Sequence, residues 1–145
     1  LPEVEILHAD LPRGGCVAHS VGAGKTVIAA ALMAQTKLLP AEHVQFGRTI
    51  VVVPDHIITQ WRRELERFAP QLSVGVWPKD ASTAHDAILV RFSKLKRFQF
   101  ASNRMESTRL IVDEPHDLPM EIHFIKARYR WALTATPVSY THLTL

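Results

Sequence analysis

The stretch His19-Ser20-Val21-Gly22-Ala23-Gly24-Lys25-Thr26 decides how this chain is read. A short apolar run, Gly15-Cys16-Val17-Ala18, leads into it. The helical pattern Val27-Ile28-Ala29-Ala30-Ala31-Leu32-Met33-Ala34 leads out. Strand, glycine-rich turn and helix is the order a phosphate-binding loop requires. Gly22 and Gly24 let the backbone turn tightly and bring successive N–H groups toward phosphate oxygens, with the helix N-terminus adding partial positive charge. Lys25 can reach the β- and γ-phosphates, and the Thr26 hydroxyl can hold Mg²⁺. The full pattern asks for glycine where His19 stands, so the match is to the shortened form G-x-G-K-T. Taken alone, it is also what a glycine turn capping an ordinary helix looks like.

Working outward, 145 residues make one domain with room for a core, and 47% apolar with 21% charged residues is ordinary for a soluble globular chain. No apolar run reaches membrane-spanning length, and no charged leader precedes an apolar core at the start. The single cysteine, Cys16, excludes an intrachain disulfide framework and reads as a buried, inert thiol. The net charge of +3 is compatible with a polyanionic partner but too small to imply one. The eight histidines show no metal-ligand spacing.

Residues 1–14 are poorly patterned. The helix after the loop is expected to run to about Lys37. Arg48-Thr49-Ile50-Val51-Val52-Val53 has the continuous β-branched character of a strand buried on both faces, as parallel sheets require, and Pro54 stops it. A helix over 56–68 follows, with Ile57, Trp61, Leu65 and Phe68 as its apolar stripe. That stripe reads as core packing rather than a base-stacking platform. Further strands are expected over 72–77, 87–92, 108–112 and 131–134, with a short basic helix near 94–97, a loop over 99–107 and a proline-initiated helix over 119–128. Alternating strands and helices imply an α/β fold: a mostly parallel sheet with helices on both faces.

Ligands in such a sheet lie at the carboxyl ends of the strands. The strand Leu110-Ile111-Val112 delivers Asp113 and Glu114 to such an end. Phosphoryl transfer divides labour in the way these residues allow. A first carboxylate holds Mg²⁺, and a neighbouring one orients and deprotonates the attacking water. Pro115 disfavours the helical region for Glu114 and is expected to carry strand geometry through the carboxylate pair. The last strand exits through Thr134-Ala135-Thr136-Pro137.

Together these blocks resemble the first RecA-like lobe of a superfamily 2 helicase or translocase, most of all the Swi/Snf-type DNA-dependent ATPases. Gly22-Ala23-Gly24-Lys25-Thr26 resembles motif I. Ile50-Val51-Val52-Val53-Pro54 with Gln60-Trp61-Arg62-Arg63-Glu64 resembles motif Ia and its continuation. Asp113-Glu114-Pro115-His116 is similar to the D-E-A-H box, and Leu133-Thr134-Ala135-Thr136-Pro137 to motif III; Phe92-Ser93-Lys94-Leu95 resembles part of motif Ib. The likeness spans residues 15–137, leaving 1–14 and an atypical tail, 138–145. His19-Ser20 stands where remodellers commonly carry an acidic pair, and Pro115 where the box has alanine.

The resemblance implies an ATP-binding lobe that couples hydrolysis to movement on duplex DNA. Gly22, Ala23, Gly24, Lys25 and Thr26 would bind ATP, Thr26 and Asp113 would hold Mg²⁺, and Lys25 and Glu114 would be catalytic. His116, Thr134 and Thr136 would couple the nucleotide site to nucleic acid, which Pro54 and Ser93 would touch. The family's second lobe supplies an arginine finger contributing about 10³–10⁵ in rate, so this lobe alone is expected to bind Mg-ATP weakly and hydrolyse it poorly. An RNA helicase, a restriction-enzyme motor subunit, a P-loop small-molecule kinase and a non-catalytic nucleic-acid-binding module remain the competing readings. No targeting signal is visible, so the compartment stays open.

Overall fold

In the computed structural model, residues 14–18, 23–37, 48–80, 85–101 and 106–134 are described. The chain runs β1 (Gly14–Ala18), α1 (Ala23–Lys37), β2 (Thr49–Val53), α2 (Ile58–Phe68), β3 (Val74–Val76), β4 (Ala87–Arg91), α3 (Leu95–Ala101), β5 (Glu106–Asp113) and β6 (Lys126–Thr134). The strands form one six-stranded sheet in the order β1-β6-β5-β2-β4-β3, and every pairing is parallel. β2 lies inside it, between β5 and β4, and all five of its residues are buried. That is where an unbroken β-branched run belongs.

Period-two alternation sorts the strand side chains into two cores. Val51, Val53, Leu89, Ile111 and Leu133 face one side. There they pack with Ile28, Ala29 and Met33 of α1 and with Ile58, Trp61 and Leu65 of α2. Ile50, Val52, Ile88, Val90, Leu110 and Val112 face the other, against Leu95 and Phe98 of α3, Trp77, Ile122 and Ile125. The Trp77 and Phe98 rings meet edge-to-face at 5.2 Å. Helices therefore cover both faces, as the alternation of strand and helix patterns predicts.

Several elements depart from the sequence reading. The α-helical bonding of α2 begins at Ile58, after a 3₁₀ turn over Asp55–Ile57. Ile58 joins Trp61 and Leu65 in the core, while Phe68 is 41% exposed with the Arg67 guanidinium over its ring. The strand expected over 72–77 shrinks to Val74–Val76. The loop expected over 99–107 is cut from both sides, because α3 runs to Ala101 and β5 starts at Glu106.

The largest correction concerns the helix expected over 119–128. No helix forms there. β6 begins at Lys126 and pairs with β5 from Glu106 onward. Ile122 and Ile125, three apart as on a helix, belong to a single turn closed by the Ile125 N–H donating to the Ile122 carbonyl. The Arg130 guanidinium donates to the carbonyls of Ile125 (2.7 Å) and Ile122 (3.0 Å), ending the turn rather than letting it propagate.

A second correction falls at the carboxylate pair. β5 stops at Asp113, and Glu114 takes the left-handed conformation, φ 50° and ψ 61°. Pro115 does bar the right-handed helical region to Glu114. The backbone answers with a left-handed residue and a 3₁₀ turn over Pro115–Asp117, not with more strand. For a non-glycine residue that conformation costs about 1–2 kcal/mol. The Glu114 N–H donates to the Leu133 carbonyl at 2.8 Å, which ties the corner to β6.

Candidate nucleotide site

The alternation that builds the cores also aims the site. Asp113 has the parity of Ile111, so it emerges on the face covered by α1 and α2, at the carboxyl end of the sheet. Lys25, in the first turn of α1, reaches it there. Its ammonium lies 2.9 Å from Asp113 Oδ1 and 2.7 Å from Glu114 Oε1. The pairing is nearly dry: the Lys25 side chain is 8% exposed and that of Asp113 4%. Burial pulls the Lys25 pKa down, but hydrogen bonds to Glu114 and Asp113 and the charges of both outweigh it. The net direction is upward from the ordinary 10.5.

The second oxygen of Asp113, Oδ2, accepts a 2.9 Å hydrogen bond from the indole Nε1 of Trp61. Glu114 is the more open partner and collects neighbours on Oε2. Thr134 Oγ1 donates to it at 3.3 Å, and His116 Nε2 lies 3.4 Å away. His116 Nε2 also lies 3.5 Å from Asp117 Oδ2. The end of β6 and the turn after β5 thus converge on one carboxylate.

A cleft of about 240 Å³ opens beside these groups, lined by Lys25, Thr26, Pro54, Gln60, Trp61, Asp113 and Glu114, among others. Whole ligand pockets span roughly 300–1,000 Å³, so this cleft suits a phosphate tail rather than an entire nucleotide. Thr26 is buried on the same wall. Among the described residues no group of three His, Cys, Asp or Glu side chains could cage a metal. One hydroxyl and one carboxylate do fit Mg²⁺, which keeps several waters and takes further oxygens from substrate phosphates.

Of the residues singled out from sequence, Lys25, Thr26, Asp113 and Glu114 come together, and His116 and Thr134 join them through Glu114. Gly24 and Ala23 open α1, while Gly22 and Thr136 lie outside the described residues. Pro54 is buried and lines the cleft. Ser93 is exposed and is not among the residues that line the cleft, its backbone N–H donating to Asp55 Oδ1 at 3.0 Å. Desolvation pushes the Asp55 carboxyl up, but hydrogen bonds from Ser93 and the charges of Arg91 and Lys94 together outweigh it and hold the group below its ordinary value. The reach of the Trp61 indole to Asp113 was not read from the sequence. A buried indole N–H needs an acceptor, and that requirement was the available signal.

A family model described as SNF2-related domain matches residues 6–143. The chain belongs to the SNF2-related family. Among its relatives, a DNA (cytosine-5-)-methyltransferase, DMT5, of Cryptococcus neoformans var. grubii is 34% identical over 101 residues, covering 66% of this chain and 4% of that protein. The nuclear protein STH1/NPS1 of Saccharomyces cerevisiae is 26% identical over 143 residues, covering 86% of this chain and 10% of its own length. The SWI2/SNF2 ATPase core of Sulfolobus solfataricus, solved in complex with dsDNA, superposes with a TM-score of 0.70 at 27% identity. That match takes in 85% of this chain and 28% of the other.

This SNF2-related chain therefore spans a small part of the relatives it matches, and its fold is that of a RecA-like, Swi/Snf-type lobe. The resemblance drawn from motif order is borne out. Among the described residues, no helix is long and apolar enough to cross a membrane.

Proposed function

We propose that this chain is the ATP-binding lobe of an ATP-dependent translocase acting on duplex DNA, working with a second lobe that completes the nucleotide site. The observation that carries the reading is the Lys25 ammonium held between Asp113 and Glu114 at the mouth of a phosphate-sized cleft. A cation already sits where phosphate charge and its counter-ion would be balanced. Family membership supports nucleotide hydrolysis, and the dsDNA-bound relative supports the choice of nucleic acid.

In this reading Lys25 would exchange the carboxylates for the phosphates of a bound nucleotide, which the backbone N–H groups of Gly22, Ala23 and Gly24 would also bind. Thr26 and Asp113 would hold Mg²⁺, which would supply charge neutralisation at the phosphates when bound. Released from Lys25, Glu114 orients a water and accepts its proton. Thr134 and His116, both at Oε2 of that same carboxylate, report its position to β6 and to the turn after β5. Thr136 would extend that path. Pro54 and Ser93 would mark the strand exits nearest the DNA backbone, where contacts read shape and phosphate rather than sequence.

The test is ATP hydrolysis by the complete gene product with no nucleic acid, duplex DNA, single-stranded DNA or RNA, with Lys25→Ala as control. Strong stimulation by duplex DNA that vanishes in the variant is the expected result. Turnover indifferent to every nucleic acid would overturn the translocase reading and point to small-molecule phosphotransfer instead.

A further inference from the structure

Trp61 is a residue the function above does not use. It is 2% exposed, it lies one helical turn after Ile57, and its ring belongs to the core between α1, α2 and the sheet. Packing alone would be served by any large apolar side chain. The indole differs from phenylalanine in one respect that matters here: its N–H ends 2.9 Å from Asp113 Oδ2, inside the cleft wall.

The two oxygens of Asp113 are thus divided. Oδ1 faces Lys25 and Oδ2 faces Trp61. The two partners are not equivalent. Lys25 sits on a flexible stem and can exchange carboxylate for phosphate. The indole is a donor only, is fixed by its ring in the core, and has nothing to gain from leaving. When Lys25 departs, the Trp61 bond still sets the plane of the carboxylate, and Oδ1 is left pointing into the cleft.

We propose that Trp61 is a positioning residue: its indole N–H clamps Asp113 Oδ2 so that Oδ1 is presented to the metal of a bound Mg-nucleotide. The inference rests on the nucleotide-site reading above. Groups that hydrogen-bond a metal ligand from behind typically change metal affinity about 10–100-fold when removed. The clamp also makes α2, with Gln60 at the cleft, answer to the state of the carboxylate.

The experiment measures binding of a fluorescent, non-hydrolysable ATP analogue to the complete gene product while MgCl₂ is titrated. For Trp61→Phe, which keeps a buried ring and removes the donor, the Mg²⁺ midpoint rises by about tenfold or more, while binding in EDTA is unchanged. Trp131→Phe, a change at a half-buried indole packed against the same core, leaves the midpoint where it was. An unchanged midpoint in Trp61→Phe overturns the clamp and leaves the nucleotide reading standing. Absence of Mg²⁺-dependent binding in the unsubstituted complete gene product overturns the nucleotide reading itself. Should Trp61→Phe fail to fold, the assigned ¹⁵N-indole resonance of Trp61 in the unsubstituted chain decides. It is expected to shift on adding Mg-nucleotide while staying protected from exchange, and a resonance indifferent to Mg-nucleotide refutes the clamp.

Discussion

Replacing Lys25 with methionine keeps most of the length and volume of the side chain and deletes its charge. Two short charge-assisted hydrogen bonds vanish, at 2.9 and 2.7 Å. Their consequences differ. Glu114 is the more open carboxylate, with 18% of its side chain exposed, and can recruit water. Asp113 is 4% exposed and, among the described residues, keeps the Trp61 N–H as its side-chain partner. A stranded buried charge costs about 3–5 kcal/mol, whereas an exposed pair would cost under about 1 kcal/mol. Because only one of the two carboxylates is truly stranded, the lower figure applies, about 3 kcal/mol. For a domain of this size that lowers Tm by roughly 6–12 °C.

The pH dependence has a definite sign. Since folding raises the Lys25 pKa above 10.5, its stabilisation is fully present below that value and disappears as pH climbs through the folded-state value. The unsubstituted chain should therefore keep its lead over Lys25→Met from neutral pH to about pH 10 and lose it above. Thermal melts by circular dichroism over that range read both effects. The double variant Lys25→Met/Asp113→Asn, which removes the stranded charge, regains most of the loss. A single variant melting within about 2 °C of the unsubstituted chain would refute the reasoning, because the pair would then behave as solvated.

Two further outcomes follow from the same geometry. Glu114→Gln keeps a side chain that fits the corner and can still accept from Thr134, but it removes the base. Nucleotide should bind normally in a filter or fluorescence assay, while single-turnover hydrolysis falls about 10²–10⁴-fold; loss of both together would show that Glu114 acts in binding. Arg130→Met strips two donors from the turn at 122–125 and should cost about 1–3 kcal/mol in urea melts, with faster amide exchange at Ile125. Unchanged exchange there would mean the turn stands without the guanidinium.

The parts of this fold that could be read in advance are those where one local pattern had one packing solution. Val51 and Val53 had to find one layer of helices and Ile50 and Val52 another, which placed β2 inside the sheet. Asp113 at the end of an apolar strand, and Lys25 at the start of a helix after a glycine turn, could then meet at only one end. Residues 119–128 offered two solutions. Pro119, Ile122 and Ile125 fit a helix, but the neighbouring 126–130 could also extend a strand already anchored at Trp131, and β5 provided the partner. Pairing across the sheet is non-local and leaves little trace in spacing. The corner at Glu114 failed for a related reason. Pro115 dictated where that backbone could not go, while the Leu133 carbonyl, far along the chain, chose among the remaining options. The Trp61 contact was invisible because a helix stripe reports which residues are inside, not where a single N–H points.

The strand order carries a consequence for how the molecule is made. β1, which leads into the phosphate loop, lies at the sheet's edge, and its pairing among the described strands is with β6, Gly14 opposite Arg130 and Ala18 opposite Thr134. A side chain at Gly14 would run into the Arg130 carbonyl, so the two backbones approach closely. β1 must therefore wait for β6, far along the chain, before it can dock on it. Such long-range closures are slow and leave an unpaired edge available to other chains in the interval. During synthesis, the β2–β4 region can assemble early from near neighbours. The strand before the phosphate loop gains its β6 partner only once residues 126–134 have been added, and until then the nascent chain stays open to rescue or to misassembly.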